Sequence, residues 1–168
     1  THIAEIMKDK GTILARDIYE HKLELIKEAA LRLGLNSIKA EIWDAVNTDE
    51  KYIKKADRVL VDAPCTGLGI IRRKPDIKYS KIGKDIKSIA ELQIKILKAS
   101  SHYVKPGGVM VYSTCTISPE ENNNVVEAFL SEVKDFCLED FSDKLPENLD
   151  RYGYKEGYMQ LYPNVHET

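Results

Sequence analysis

Short apolar runs alternate along the chain with longer stretches in which apolar residues return every three or four positions. TILARD (12–17), after Gly11, predicts a strand. EHKLELIKEAALRLG then sets Leu23, Ile26, Ala30 and Leu33 on one helical face, with Gly34 as a C-terminal stop. IKAEIWD (38–44) is the next predicted strand, followed by a polar, partly helical link to Lys55. DRVLVDAP (57–64) is almost continuously apolar, as a central parallel strand covered on both faces would be. After a basic loop, DIKSIAELQIKILKASSHYV (85–104) predicts a long helix whose apolar side holds Ile86, Ile89, Ala90, Leu92, Gln93, Ile96 and Leu97. KPGG (105–108) predicts a turn and VMVYSTC (109–115) a second buried strand. SPEENNNVVEAFLSEV opens a helix, with Ser118 as cap, Pro119 in the first turn and Glu121 at the capping-box position. The Tyr- and Gly-rich tail predicts one more strand around Tyr158 to Tyr162.

Strands alternating with helices predict a mostly parallel sheet with right-handed crossovers. Ligands bind such sheets beyond the carboxyl ends of the strands. Those ends carry Asp17, Asp44, Asp62 with Cys65, and Cys115. An acid after a strand of a Rossmann-like unit accepts hydrogen bonds from a ribose diol, and one after the next strand can accept from an adenine amino group. Capping of the following helices is the competing reading of Asp17 and Asp44.

The strands before Cys65 and Cys115 would be sheet neighbours, about 4.8 Å apart, so both thiols could face one planar substrate with Asp62 beside them. Two thiols and a carboxylate suit addition to a conjugated ring. A hydrolase triad needs a histidine, and none of His2, His21, His102 or His166 stands at a strand end. Burial of both cysteines as small packing residues is the competing reading, and Cys137 is taken as core. The loop IIRRKPDIKYSK (70–81) brings Arg72, Arg73, Lys74, Lys78 and Lys81 to the same edge, where they could contact phosphates or simply form a solvated face.

At 168 residues the chain suffices for one domain, and its 43% apolar and 31% charged residues are ordinary for a globular protein. No apolar run approaches the roughly 20 residues that span a bilayer, and no signal-peptide pattern opens the chain. Three cysteines without CxxC spacing indicate neither a disulfide framework nor a zinc site, and no metal is expected. Free thiols point to the reducing cytoplasm. A net charge of −2 means that nucleic-acid contact would come from a local patch or from sequence outside these residues. THIAEIMKDKG reads as the later part of a helix and QLYPNVHET lacks a closing element, so a fragment of a longer polypeptide is expected.

VDAPCTGLGIIRRKPDIKY and YSTCTISPEENNNVVEAFL closely resemble the two hallmark segments of the Nol/Nop/Sun family of RNA cytosine-5 methyltransferases, and most closely its bacterial Sun (Fmu) branch, which methylates small-subunit ribosomal RNA. The resemblance extends through THIAEIM, ARDIYEHKLELIKEAALRLG and IWDA to LYPNVHET. It implies an α/β, Rossmann-like class I S-adenosylmethionine-dependent methyltransferase fold, truncated at both ends. Residues 1–168 would be a partial catalytic domain, without the first strand and its Gly-rich cofactor loop, the upstream RNA-binding domain and the terminal strand. A central gap in the sheet and an inactive fragment are then expected. Carried over by position, Asp17 would hold the ribose hydroxyls of S-adenosylmethionine, Asp44 its adenine, and Asp62 would lie between cofactor and cytosine. Cys115 would be the nucleophile and Cys65 would assist product release. Ribosomal RNA is the implied partner, with tRNA as the alternative substrate and a non-catalytic RNA-binding or assembly module as the alternative role. Oligomeric state is left open.

Overall fold

The structure, a computed structural model, describes residues 1–77, 85–147, 149, 154–155, 157–162 and 164–166. Lys78 and Lys81 of the basic loop lie outside the described residues. Two compact units are formed, Thr1–Lys51 and Tyr52–Thr168.

In the first unit, helix α1 (His2–Ile6) leads to strand β1 (Ile13–Asp17), helix α2 (Glu20–Arg32) and strand β2 (Ile38–Ile42). β1 and β2 pair in parallel from Ile13↔Ile38 to Asp17↔Ile42, and α2 packs on both strands. The periodicity of α2 is realised in the burial of Leu23 and Ala30. Its end follows the chemistry of Gly34, which adopts φ +66° while Leu35 N–H bonds to Ala30 O and Gly34 N–H to Leu31 O. That pair of bonds closes orphan carbonyls as a left-handed glycine past a helix end permits.

The carboxylate of Asp9 ties the α1–β1 loop to the entry of β2, accepting the Ser37 N–H at 2.8 Å and the Asn36 N–H at 2.9 Å. The Ser37 hydroxyl and these two N–H groups hold its pKa down at about 2. A carboxyl depressed in the folded state stabilises above its unfolded pKa of about 3.9, and that stability is lost as pH falls. Acid titration of the denaturant midpoint is therefore expected to fall between about pH 4 and pH 2. Asp9→Asn should remove that part of the dependence.

In the second unit, β3 (Ala56–Asp62), helix α3 (Asp85–Ser101), β4 (Val104–Ser113) and helix α4 (Asn123–Glu132) follow in order. β3 and β4 are parallel neighbours, paired from Leu60↔Val111 through Val61↔Tyr112 to Asp62↔Ser113. α3 packs on both strands and against α4. The core is built from Val61, Ile96, Leu97, Val125 and Phe129, with Phe129 edge-on to Phe136.

Several sequence-based expectations are corrected. Among the described residues β1 pairs with β2 and β3 with β4, both in parallel as expected, and the tail forms a short antiparallel pair, β5 (Tyr154–Lys155) with β6 (Tyr158–Met159), where a single strand was expected. On β3 Val61 is buried, whereas Leu60 on the opposite face is 54% exposed and its partner Val111 51%, where burial on both faces was expected. Leu92 lies on the exposed edge of α3. KPGG belongs to β4 as an irregularity, absorbed where the register shifts between Ala56 and Arg58. α4 begins at Asn123, since Ser118–Asn122 are spent on tight turns in which Glu121 N–H bonds to Ser118 O and Asn122 N–H to Pro119 O. Cys137 is exposed in the segment after α4 and does not belong to the core. Among the described residues, no helix is long and apolar enough to cross a membrane.

Candidate active site

Parallel pairing of β3 with β4 brings the two thiol segments together, as the sequence predicted. Beyond Asp62↔Ser113 one further bond, Ala63 N–H to Ser113 O at 2.9 Å, extends the ladder, and the Ser113 hydroxyl donates to Asp62 Oδ1 at 3.0 Å. Both chains then turn toward one another. The Sγ atoms of Cys65 and Cys115 lie 2.9 Å apart, as free thiols in hydrogen-bond contact, and Cys115 N–H points at Cys65 Sγ at 3.2 Å. Cys115 is exposed and Cys65 half-buried, so burial as packing residues does not describe them.

The two sulfurs are not equivalent. Burial pushes the Cys65 thiol up to about 12, helped by its hydrogen bond with Cys115 and opposed by the N–H groups of Cys115 and Gly67. Cys65 therefore keeps its proton at neutral pH. It can donate that proton in a hydrogen bond to Cys115 Sγ, the more accessible sulfur of the pair. The Tyr112 hydroxyl, pushed up by burial and by Glu121 and Cys65, donates to the backbone oxygen of Glu121 at 2.7 Å.

The turn after Cys65 is fastened to Cys115 through glycine. Gly69 N–H donates to Cys115 O at 3.0 Å, at the start of a 3-10 turn over Leu68–Ile70. A Cβ on Gly69 would stand 2.9 Å from that oxygen and 3.4 Å from its carbon. Gly69→Ala is expected to push the Cys115 loop aside and slow any reaction that runs through the Cys115 sulfur by about tenfold or more, since shifts near 1 Å at reacting groups cost rates of that order. An unchanged rate would contradict this fastening. Arg72, Arg73 and Lys74 follow directly in an exposed turn in which Arg73 and Lys74 N–H groups bond to Ile70 O.

Beneath the thiols is a polar network that the sequence reading missed. Glu121 is fully buried, and it does not act in a capping box. Its Oε2 accepts the Thr66 N–H at 2.9 Å and Gln93 Nε2 at 3.2 Å, and its Oε1 accepts the Thr66 hydroxyl. Gln93, equally buried, also donates to Pro64 O at 2.8 Å. A visible signal was the glutamine amid the apolar stripe of α3, because a buried amide requires partners.

Asp17 and Asp44 are placed in the first unit, each described within it. Asp17 ends β1, where Oδ1 accepts the Tyr19 N–H at 2.9 Å and Oδ2 meets Lys22 Nζ at 3.3 Å. Asp44 stands two residues past β2 and accepts the Val46 N–H at 3.1 Å. Both therefore hold local turns, but Asp17 does not cap α2, whose N-cap is Tyr19 without a side-chain cap bond, and no described helix begins at Asp44. An ionised carboxylate offers about four acceptor sites, so neither is exhausted by these bonds, and both fit a ligand bearing hydroxyl or amino donors. Arg16, which precedes Asp17 on β1, is fixed by Glu41 at 3.0 Å and Asp49 at 2.6 Å, and stacks 4.7 Å over the Trp43 ring. Burial opposes charge on Asp49, but the Arg16 hydrogen bond, the Lys51 N–H and the charges of both side chains outweigh it and leave its pKa lowered.

The whole of residues 1–168 matches a family model described as 16S rRNA methyltransferase RsmB/F. The "Probable ribosomal RNA small subunit methyltransferase B" of Bacillus subtilis (strain 168) is 46% identical over 99% of the chain, which spans 38% of that protein. The "Ribosomal RNA small subunit methyltransferase F" of Aliivibrio salmonicida (strain LFI1238) is 31% identical over all of the chain, which spans 36% of it. Among solved structures, NSun6 from Pyrococcus horikoshii with SFG superposes with a TM-score of 0.81 at 34% identity, covering 98% of this chain and 41% of that one. The chain thus spans less than two-fifths of the length of the curated relatives it matches.

Proposed function

Because the chain belongs to the 16S rRNA methyltransferase RsmB/F family, with the Rossmann-like fold of S-adenosylmethionine-dependent methyltransferases, we propose that it carries the catalytic residues for methylating cytosine C5 in small-subunit ribosomal RNA through a covalent Cys115–C6 adduct. The observation that supports this reading most is the thiol pair, 2.9 Å apart beyond two paired parallel strands, with Asp62 at the end of one of them. S-adenosylmethionine supplies an electrophilic methyl group when bound, and the crystallisation of a structural neighbour with its analogue SFG favours that cofactor. Asp17 would hold its ribose hydroxyls and Asp44 its adenine amino group, using the acceptor sites left beside Tyr19 and Val46.

The chain's own residues make cytosine C5 reactive. The Cys115 thiolate adds to C6, and the electron pair displaced toward N3 is met by a proton shared with Asp62. C5, now enamine-like, takes the methyl group, with the pair of the broken S–CH3 bond left on the donor's sulfur, and the N3 proton returns to Asp62. Loss of the C5 proton to solvent returns an electron pair to the ring, and the C6–sulfur bond breaks with both of its electrons going to sulfur. Here the Cys65 S–H stabilises the departing Cys115 thiolate. Arg72, Arg73 and Lys74 would bind RNA phosphates. Free thiols and an RNA substrate support a cytoplasmic location.

The direct test supplies labelled S-adenosylmethionine to the full-length protein with unmodified small-subunit ribosomal RNA or with tRNA. 5-Methylcytosine in the ribosomal RNA is the expected product. Label confined to tRNA would reassign the substrate, and label at another position would overturn the C5 chemistry.

A further inference from the structure

Glu121 and Asn122 stand side by side just before α4, and each reaches a different thiol segment. Glu121 takes the N–H and hydroxyl of Thr66, the residue after Cys65, while Gln93 bridges from its Oε2 to Pro64 O, the carbonyl before Cys65. The peptide groups on both sides of Cys65 are thereby pinned to one buried carboxylate. Asn122 does the same for Cys115. Its Oδ1 accepts the Thr114 hydroxyl at 2.6 Å and its Nδ2 donates to Thr116 O at 3.1 Å, straddling the cysteine. Thr66 and Thr116 close the circuit with a hydroxyl contact of 3.1 Å. Neither side chain caps the helix behind it: α4 has no side-chain cap bond, and Asn122 serves it only through its carbonyl, which accepts the Val126 N–H.

Removing a carboxylate from water is costly unless donors replace the solvent, and this one meets three. Such a network is retained only where a fixed geometry matters or where the fold demands it, and its two arms end on the residues flanking the two sulfurs. We propose that Glu121 and Asn122 are positioning residues with separate clients, Glu121 holding Cys65 for release of the product and Asn122 holding Cys115 for attack. The inference rests on the division of labour proposed above and deepens it.

Separate clients give separable phenotypes, which a purely structural role would not. In the full-length protein with unmodified small-subunit ribosomal RNA and S-adenosylmethionine, Glu121→Ala should form the covalent RNA adduct at near wild-type rate and release it about tenfold more slowly, as expected for a misplaced assisting group. Denaturing gels would show the adduct accumulating. Asn122→Ala should instead form adduct about tenfold more slowly, without accumulation. Glu121→Gln is the conservative rescue: its amide oxygen can accept from Thr66 N–H and Gln93, its NH₂ can donate to the Thr66 hydroxyl, and release should return to within about threefold of wild type. Should Glu121→Ala not fold, Gln93→Met removes the Pro64 arm together with one of the three donors to Glu121, leaves both Thr66 bonds in place, and should slow release in the same sense. Cys65→Ala is the control. No accumulation in Cys65→Ala overturns the division of labour itself; accumulation there, with Glu121→Ala and Gln93→Met slowing formation and release alike or neither, overturns the clamp alone.

Discussion

Cys115→Ala is expected to abolish methyl transfer, lowering kcat/KM on RNA by on the order of 10⁴-fold or more, as removal of a covalent nucleophile does. Cytosine C5 in the aromatic ring is too poor a nucleophile to take a methyl group from a sulfonium, and Cys65 cannot substitute. Its sulfur is only 2.9 Å from that of Cys115, yet it is the more buried of the two, and burial, the largest cause of its raised pKa, remains when Cys115 is truncated. No covalent RNA complex should form on this variant. Cys115 is exposed, so its truncation should leave the thermal midpoint close to wild type and separate lost chemistry from lost folding. Single-turnover assays with labelled cofactor read the first expectation and thermal unfolding the second.

Cys65→Ala should fail at a later step. Addition and the first methyl transfer survive, because the nucleophile is intact. Expulsion of the Cys115 thiolate loses its hydrogen-bond donor, and turnover should fall by about 10²-fold, a typical loss for one positioned proton donor. The enzyme then rests as a covalent complex with methylated RNA, resistant to denaturing detergent. A burst of one methyl group per protein followed by a slow phase is the kinetic signature. Equal loss of the burst and the slow phase would mean that Cys65 acts before transfer.

Much of this site is legible in the sequence, for a physical reason. Parallel strands with buried positions leave long apolar runs, and the residues just past them fall at the ligand-binding edge whatever the details of packing. VLVDAPC and VYSTC could therefore be aligned as neighbours, and Asp62↔Ser113 pairing bears that out. What sequence could not give was the use of polar residues whose partners are distant in the chain. Glu121 obeys the local capping-box spacing, but its carboxylate is drawn 55 residues back to Thr66, where three donors outweigh one helix-end N–H. For the same reason Asn122 bonds back across Cys115 and leaves α4 to begin at Asn123. The assignment of β3 as buried on both faces failed because apolar composition reports the potential for burial; Leu60 and Val111 remain exposed here. Asp17 and Asp44 sit at or beyond strand ends as expected, each also holding a local turn.

The central claim is that the C6–sulfur bond is made by Cys115 and resolved with the help of Cys65. It is tested most directly by mapping the covalent complex that forms when full-length Cys65→Ala meets small-subunit ribosomal RNA and S-adenosylmethionine. After nuclease and protease digestion, mass spectrometry of the crosslinked peptide should place a methylated cytidine on Cys115. A nucleotide carried by any other residue, or turnover without any covalent complex in this variant, would contradict it.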